Sequence, residues 1–246
     1  MEIKVLHLYY DLLNLYGEYG NISILVNHLK DQEIKVIVEK KTIGDSFNLN
    51  DYDFIYCGSG TERNIFVALE DFQKHRDELI DYIFSNKYGL FTGTSVEMLG
   101  KKLYKKSNGE EIEIAKPLDV FNYKCERLEE RKTGDIIYSS KVFSKKIVGF
   151  INNQANVYSD EEPLFNVEIG ISNNPNEKIE GACKNNFFAT YVIGPIFVRN
   201  PAVLNYFVNG IINQKDNNFS FKNIQYDNEE AGYELVLKEL SSQVKW

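Results

Sequence analysis

Histidine is scarce in this chain and confined to its first third. His7, His28 and His75 are the only three, so nothing after residue 75 offers an imidazole as a general base or metal ligand. Cysteine is as sparse. Cys57, Cys125 and Cys183 are odd in number and far apart, with no Cys-x-x-Cys pair. That points away from a disulfide framework or zinc site and toward free thiols in a reducing compartment. No apolar run approaches the roughly 20 residues that span a bilayer. Positive charge is short as well: 28 Lys and Arg face 36 Asp and Glu, and the lysine pairs at 40–41, 101–102, 105–106 and 145–146 are scattered among acids. The net charge of −8 leaves no electrostatic footprint for nucleic acid or an anionic membrane.

What is present suits a water-exposed protein with a large core, since 43% of the 246 residues are apolar. Met1-Glu-Ile-Lys-Val5 enters a strand pattern at once, which argues against a signal peptide and for a cytoplasmic chain. Glu2–Tyr9, Ile34–Val38, Phe54–Cys57 and Gly89–Thr92 read as strands. Between them, helices are expected over Ile22–Asp31, capped by Asn21, and over a long stretch from Glu62 to Ser85. Strand–helix alternation of this kind predicts a parallel, doubly wound sheet. After Gly100 the pattern turns to strands: Glu111–Ile114, Leu118–Tyr123, Gly134–Ser140, Ile147–Asn152, Phe165–Ile171 and Phe187–Ile193. Turns such as Ser107-Asn-Gly109 separate them, and helices are expected at Pro201–Ile212 and Glu229–Leu240. With no repeat, linker or low-complexity segment, one domain over residues 1–246 is expected.

The most telling local feature is Tyr88-Gly-Leu-Phe91 running into the small-residue turn Thr92-Gly93-Thr94-Ser95, with a helix expected to open at Ser95. A strand ending in such a turn is where hydrolases and amidotransferases mount a nucleophile, aiming free N–H groups at developing negative charge. Here the frame holds no cysteine. Thr94 or Ser95 is expected to cap the helix that follows.

Tyr88–Lys102 resembles the nucleophile segment of class I (triad-type) glutamine amidotransferases of the cobyric acid synthase type, nearest the glutaminase subunits of lipid II isoglutaminyl synthase. Three further blocks carry the likeness: Tyr10-Asp-Leu-Leu-Asn-Leu-Tyr-Gly-Glu-Tyr-Gly-Asn-Ile22, Ile147-Val-Gly-Phe-Ile-Asn-Asn153 and Ala189-Thr-Tyr-Val-Ile-Gly-Pro195. The resemblance implies an α/β amidotransferase fold: a central, mainly parallel sheet flanked by helices, with extra antiparallel strands in the second half. It sets the family's nucleophilic cysteine on Gly93 and its catalytic histidine on Ile193. Gly58-Ser-Gly-Thr-Glu-Arg63 is similar to the family's Gly-Gly-Gly-x-Asp-Arg loop, whose backbone N–H serves an oxyanion hole. Arg131 falls where the family carries an arginine for the glutamine carboxylate, a task that suits a guanidinium fork; a solvated arginine before a turn is the other reading. Val96, Glu97 and Asn153 depart from the family's Tyr, Gln and His.

The chemistry that follows is that of a pseudo-glutaminase. It would partner a Mur-ligase-like protein in lipid II amidation, need no cofactor or metal, and keep a site for glutamine or another small carboxylate around Gly58, Ser59, Gly60, Thr94, Ser95 and Arg131. Two other readings stay open. One is an active hydrolase with a displaced nucleophile, Cys57 or Ser95, with His7 near Cys57; against it, a free buried cysteine is usually a small hydrophobe. The other is a stand-alone amino-acid or anion-binding module that uses the N–H groups after Thr94.

Overall fold

A computed structural model describes residues 1–243. The chain opens with β1 (Glu2–Leu8), α1 (Tyr19–Asp31), β2 (Lys35–Lys41) and β3 (Phe54–Cys57). Helices α2 (Glu62–Phe72) and α3 (Arg76–Phe84) lead to β4 (Tyr88–Thr92). The second half is mostly strand: β5 (Lys102–Ser107), β6 (Glu110–Ala115), β7 (Tyr123–Ser139), β8 (Ile147–Ser159), β9 (Phe165–Ile169), β10 (Ile179–Glu180), β11 (Ala182–Lys184), β12 (Phe187–Thr190) and β13 (Val192–Ile193). Helices α4 (Ile196–Arg199), α5 (Pro201–Lys215) and α6 (Asp227–Gln243) follow.

The first sheet has the order β11-β12-β4-β3-β1-β2, parallel throughout except for β11. Every residue of β3 and β4 is buried, which is why Phe-Ile-Tyr-Cys and Tyr-Gly-Leu-Phe-Thr read as unbroken apolar runs. β2 carries Lys35, Glu39, Lys40 and Lys41 because it is the edge, where charge blocks further pairing. From β1 the chain steps one way to β2, and from β3 the other way to β4. Right-handed crossovers then put α1 and α2–α3 on opposite faces, with a switch point between β1 and β3. The β3 end at that crevice bears Gly58-Ser-Gly60, and the end of the neighbouring β4 bears the Gly93 turn.

The second sheet runs β10-β9-β7-β5-β6, with β8 joining β7 to β13, and is antiparallel except for β5 against β7. One buried cluster runs from Ile3 to Ile212 across both sheets. A small one, Ile137, Val148 and Tyr233, lies under α6.

Several expected elements differ. The helical stretch from Glu62 to Ser85 breaks into α2 and α3 at a 3-10 turn, Gln73–His75, where the His75 ring stacks on Phe47 with centroids 4.1 Å apart. Leu118–Phe121 form no strand, since their N–H groups fold back onto the carbonyls of Met98, Leu99 and Gly100. Lys102–Ser107 is a strand that its four polar positions concealed. α1 starts at Tyr19, so Asn21 lies inside it rather than at its cap; its amide donates to the Tyr56 hydroxyl and its Oδ1 accepts from Phe197 N.

Candidate functional site

β4 ends in extended backbone at Thr92, and Gly93 then turns with φ +61°, a left-handed conformation that glycine adopts cheaply. Strand, one left-handed residue and a helical turn make the frame of a nucleophile elbow. The helical part is a 3-10 segment, Gly93–Met98, not the expected α-helix. All six of its residues are buried.

The space above Gly93 is full. A Cβ at this position would lie 2.4 Å from Ser59 Oγ, 2.5 Å from Ser59 Cβ and 3.1 Å from Ile193 Cγ2. Positions 93 and 193 are therefore direct neighbours, and Ser59 crowds the same spot. Ser59 sits at the middle glycine of the resembled loop, and its hydroxymethyl group takes the room a thiol would need.

Two of the local N–H donors are taken up by hydroxyls. Thr94 N donates to Ser59 Oγ at 3.3 Å, and Gly60 N donates to Thr94 Oγ1 at 2.9 Å. Thr94 Oγ1 in turn donates to Gly60 O at 2.9 Å and lies 3.2 Å from Ser59 Oγ. Ser95 Oγ donates to the carbonyls of Cys57 and Thr92 at 3.1 and 2.9 Å. Neither Thr94 nor Ser95 caps a helix, contrary to expectation, because both hydroxyls tie the turn to the β3 loop. Gly58, Ser59, Gly60, Thr94 and Ser95 do converge, in a knot where the hydroxyls and the N–H groups of Thr94 and Gly60 bond to one another and to nearby carbonyls. An oxyanion or carboxylate would have to compete with these hydroxyls for the N–H groups of Thr94 and Gly60.

Two groups that sequence reasoning passed over hold the knot in place. Glu18, fully buried, accepts from the hydroxyls of Tyr56 (2.6 Å) and Thr92 and from Gly194 N at 3.1 Å. Burial pushes its pKa up, against the pull of these donors. It joins the β1–α1 connection, β3, β4 and the segment carrying Ile193. Its signal lay in the Tyr-Gly-Glu-Tyr-Gly block, where an acid stands amid apolar and glycine residues.

Arg127 is the second. It lies on β7, largely buried, and its guanidinium donates to Glu97, whose other oxygen accepts from Tyr191 Oη at 3.3 Å. Burial raises the Glu97 pKa and the guanidinium opposes it. Arg131, the sequence candidate, is instead at the rim, 40% exposed, and donates to Asn152, Glu62 and Gln154 at 2.9–3.2 Å. Its fork is spent on surface partners rather than on the turn.

The displaced Cys–His pair does not form. β1 and β3 pair with His7 opposite Tyr56 and Leu8 opposite Cys57, so the two side chains point to opposite faces of the sheet. Cys57 is fully buried, which pushes its thiol pKa well up, and His7 is pushed down to about 4 by burial, then by Lys40. A protonated thiol without a base is not a nucleophile. Ser95 likewise has its hydroxyl committed to two carbonyls. Among the described residues no three His, Cys, Asp or Glu side chains converge as metal ligands.

Residues 4–201 match the sequence model of the CobB/CobQ-like glutamine amidotransferase domain. The chain is 30% identical over 244 residues to the lipid II isoglutaminyl synthase (glutamine-hydrolyzing) subunit GatD of Staphylococcus aureus (strain N315), covering 99% of this chain and 98% of that one. With the subunit of the same name from Streptococcus pneumoniae (strain ATCC BAA-255 / R6) it shares 29% identity over 202 residues, 81% of this chain and 76% of the relative. A crystal structure of glutamine amidotransferase superposes with a TM-score of 0.51 at 13% identity, covering 84% of this chain and 98% of that chain, and bears on the fold alone.

Proposed function

We infer the function from membership: the chain belongs to the CobB/CobQ-like glutamine amidotransferase family. We propose that it is a non-hydrolysing, amidotransferase-like subunit in the amidation of lipid II, the peptidoglycan precursor, and acts as one domain in the cytoplasm beside a Mur-ligase-like partner. The similarity to two glutamine-hydrolyzing subunits of lipid II isoglutaminyl synthase supports the pathway. One observation carries the loss of hydrolysis. Ser59 fills the volume where a side chain at 93 would stand, and Ile193, which accepts no proton, lies 3.1 Å from the same point.

Thioester formation from glutamine needs a thiolate, a base that keeps it deprotonated, and N–H donors for the tetrahedral oxyanion. At this turn the first is a glycine, the second an isoleucine, and of the third Thr94 N and Gly60 N are bonded to hydroxyls. The test is glutamate release from glutamine by the purified protein, alone and with the co-expressed Mur-ligase-like subunit. No release above background is expected. Turnover that disappears on Cys57→Ala would overturn the reading in favour of a relocated nucleophile.

A further inference from the structure

Glu97 and Arg127 form a charged pair in the interior, four residues past the turn, and the pair is incompletely bonded. Arg127 reaches Glu97 through one terminal nitrogen, while its Nε is buried without a hydrogen-bond partner. Asn153 Oδ1 is also buried and unpartnered, and Asn153 is 3% exposed. The two residues flank one irregularity in the β7–β8 ladder, where Arg127 pairs with Ala155 and Lys132 with Asn153. A second carboxylate, Glu62, stands 3.6 Å from the other terminal nitrogen.

A guanidinium meets a free carboxylate side-on, with Nε and one terminal nitrogen donating in parallel. Glu97 is tethered to the 3-10 segment and shares its second oxygen with Tyr191, so it takes half of that fork. Interiors rarely leave a donor of this strength idle. We propose that Arg127 is a latent carboxylate-binding subsite and that Glu97 is its resident occupant, an internal acid that keeps free amino-acid carboxylates out. The proposal rests on the non-hydrolysing reading above and adds what occupies the interior arginine.

Truncating Glu97 to alanine keeps Cβ and removes the atoms of one acetate. In Glu97→Ala, sodium acetate at ten times its dissociation constant should therefore raise Tm by about 3–6 °C relative to sodium chloride at equal ionic strength. It should leave the wild type unmoved, and the rise should vanish in Glu97→Ala/Arg127→Met. Equal shifts in wild type and Glu97→Ala, no shift beyond chloride, or a shift that survives Arg127→Met would each overturn the proposal. If Glu97→Ala does not fold unaided, its refolding yield is the readout: acetate-dependent recovery supports the subsite, and equal yields in the two salts overturn it. Glutamine turnover by the wild type would defeat the non-hydrolysing reading without altering acetate rescue, so the two failures are separable.

Discussion

Ser59 and Gly93 share one side-chain volume. The Ser59 Oγ lies 2.4 Å from where a Cβ on residue 93 would stand, so the space is filled from β3 because it is left empty by β4.

Gly93→Cys should therefore destabilise on its own. A side chain at φ +61° costs about 1–2 kcal/mol and overpacking against Ser59 about 1–3 kcal/mol. Urea unfolding is expected to show a loss of about 2–5 kcal/mol, and adding Ser59→Gly should recover the overpacking share. A Gly93→Cys protein as stable as the wild type would refute the steric account.

The two arginines should behave differently. Arg127→Met strands the Glu97 carboxylate in the interior, a loss of about 3–5 kcal/mol for a buried pair. Arg131→Ala removes an exposed residue whose ion pair contributes about 0–1 kcal/mol. Denaturant melts of the two variants check the contrast, and comparable losses would mean that the rim, not the interior, carries the charge network.

Glu180 predicts a pH slope. Buried among Thr190 Oγ1, Tyr191 N and Gly181, its carboxyl is pushed from 4.5 up to about 7, chiefly by burial. A raised folded-state value means that the native protein binds the extra proton between these pH values. The group's contribution is thus full below about pH 4.5 and is lost as pH climbs through about 7. The loss amounts to about 3 kcal/mol at most. Glu180→Gln should flatten that part of the profile and gain on the wild type between pH 5 and pH 7.5. Parallel profiles for the two proteins would mean that Glu180 does not titrate in this range.

The parallel sheet was legible because its strands are short, apolar and separated by amphipathic helices, as in α2 with Ile65, Ala68, Leu69 and Phe72 inward. The turn was legible from local chemistry, since Thr-Gly-Thr-Ser permits one left-handed residue between a strand and a helical turn. What escaped notice depends on tertiary contact. β7 runs seventeen residues through Glu126-Arg-Leu-Glu-Glu-Arg-Lys132, a polar stretch with no apolar period over its middle. Arg127 and Arg131 sit four apart on that strand, and an irregularity in the ladder decides which one turns inward. No spacing rule shows that Ser59 and Gly93, thirty-four positions apart, compensate each other.

The strand order carries a consequence for synthesis. β4 is interior and wholly buried, yet its outer neighbour β12 is made about a hundred residues later, with Phe187 set against Gly89. A nascent chain on the ribosome thus holds Tyr88-Gly-Leu-Phe-Thr92 as an open edge while β5 to β11 are translated, a hazard for pairing with other chains. The Gly194 N–H that completes the Glu18 site arrives just after β12, so the sheet is sealed and the buried carboxyl satisfied in the same late step.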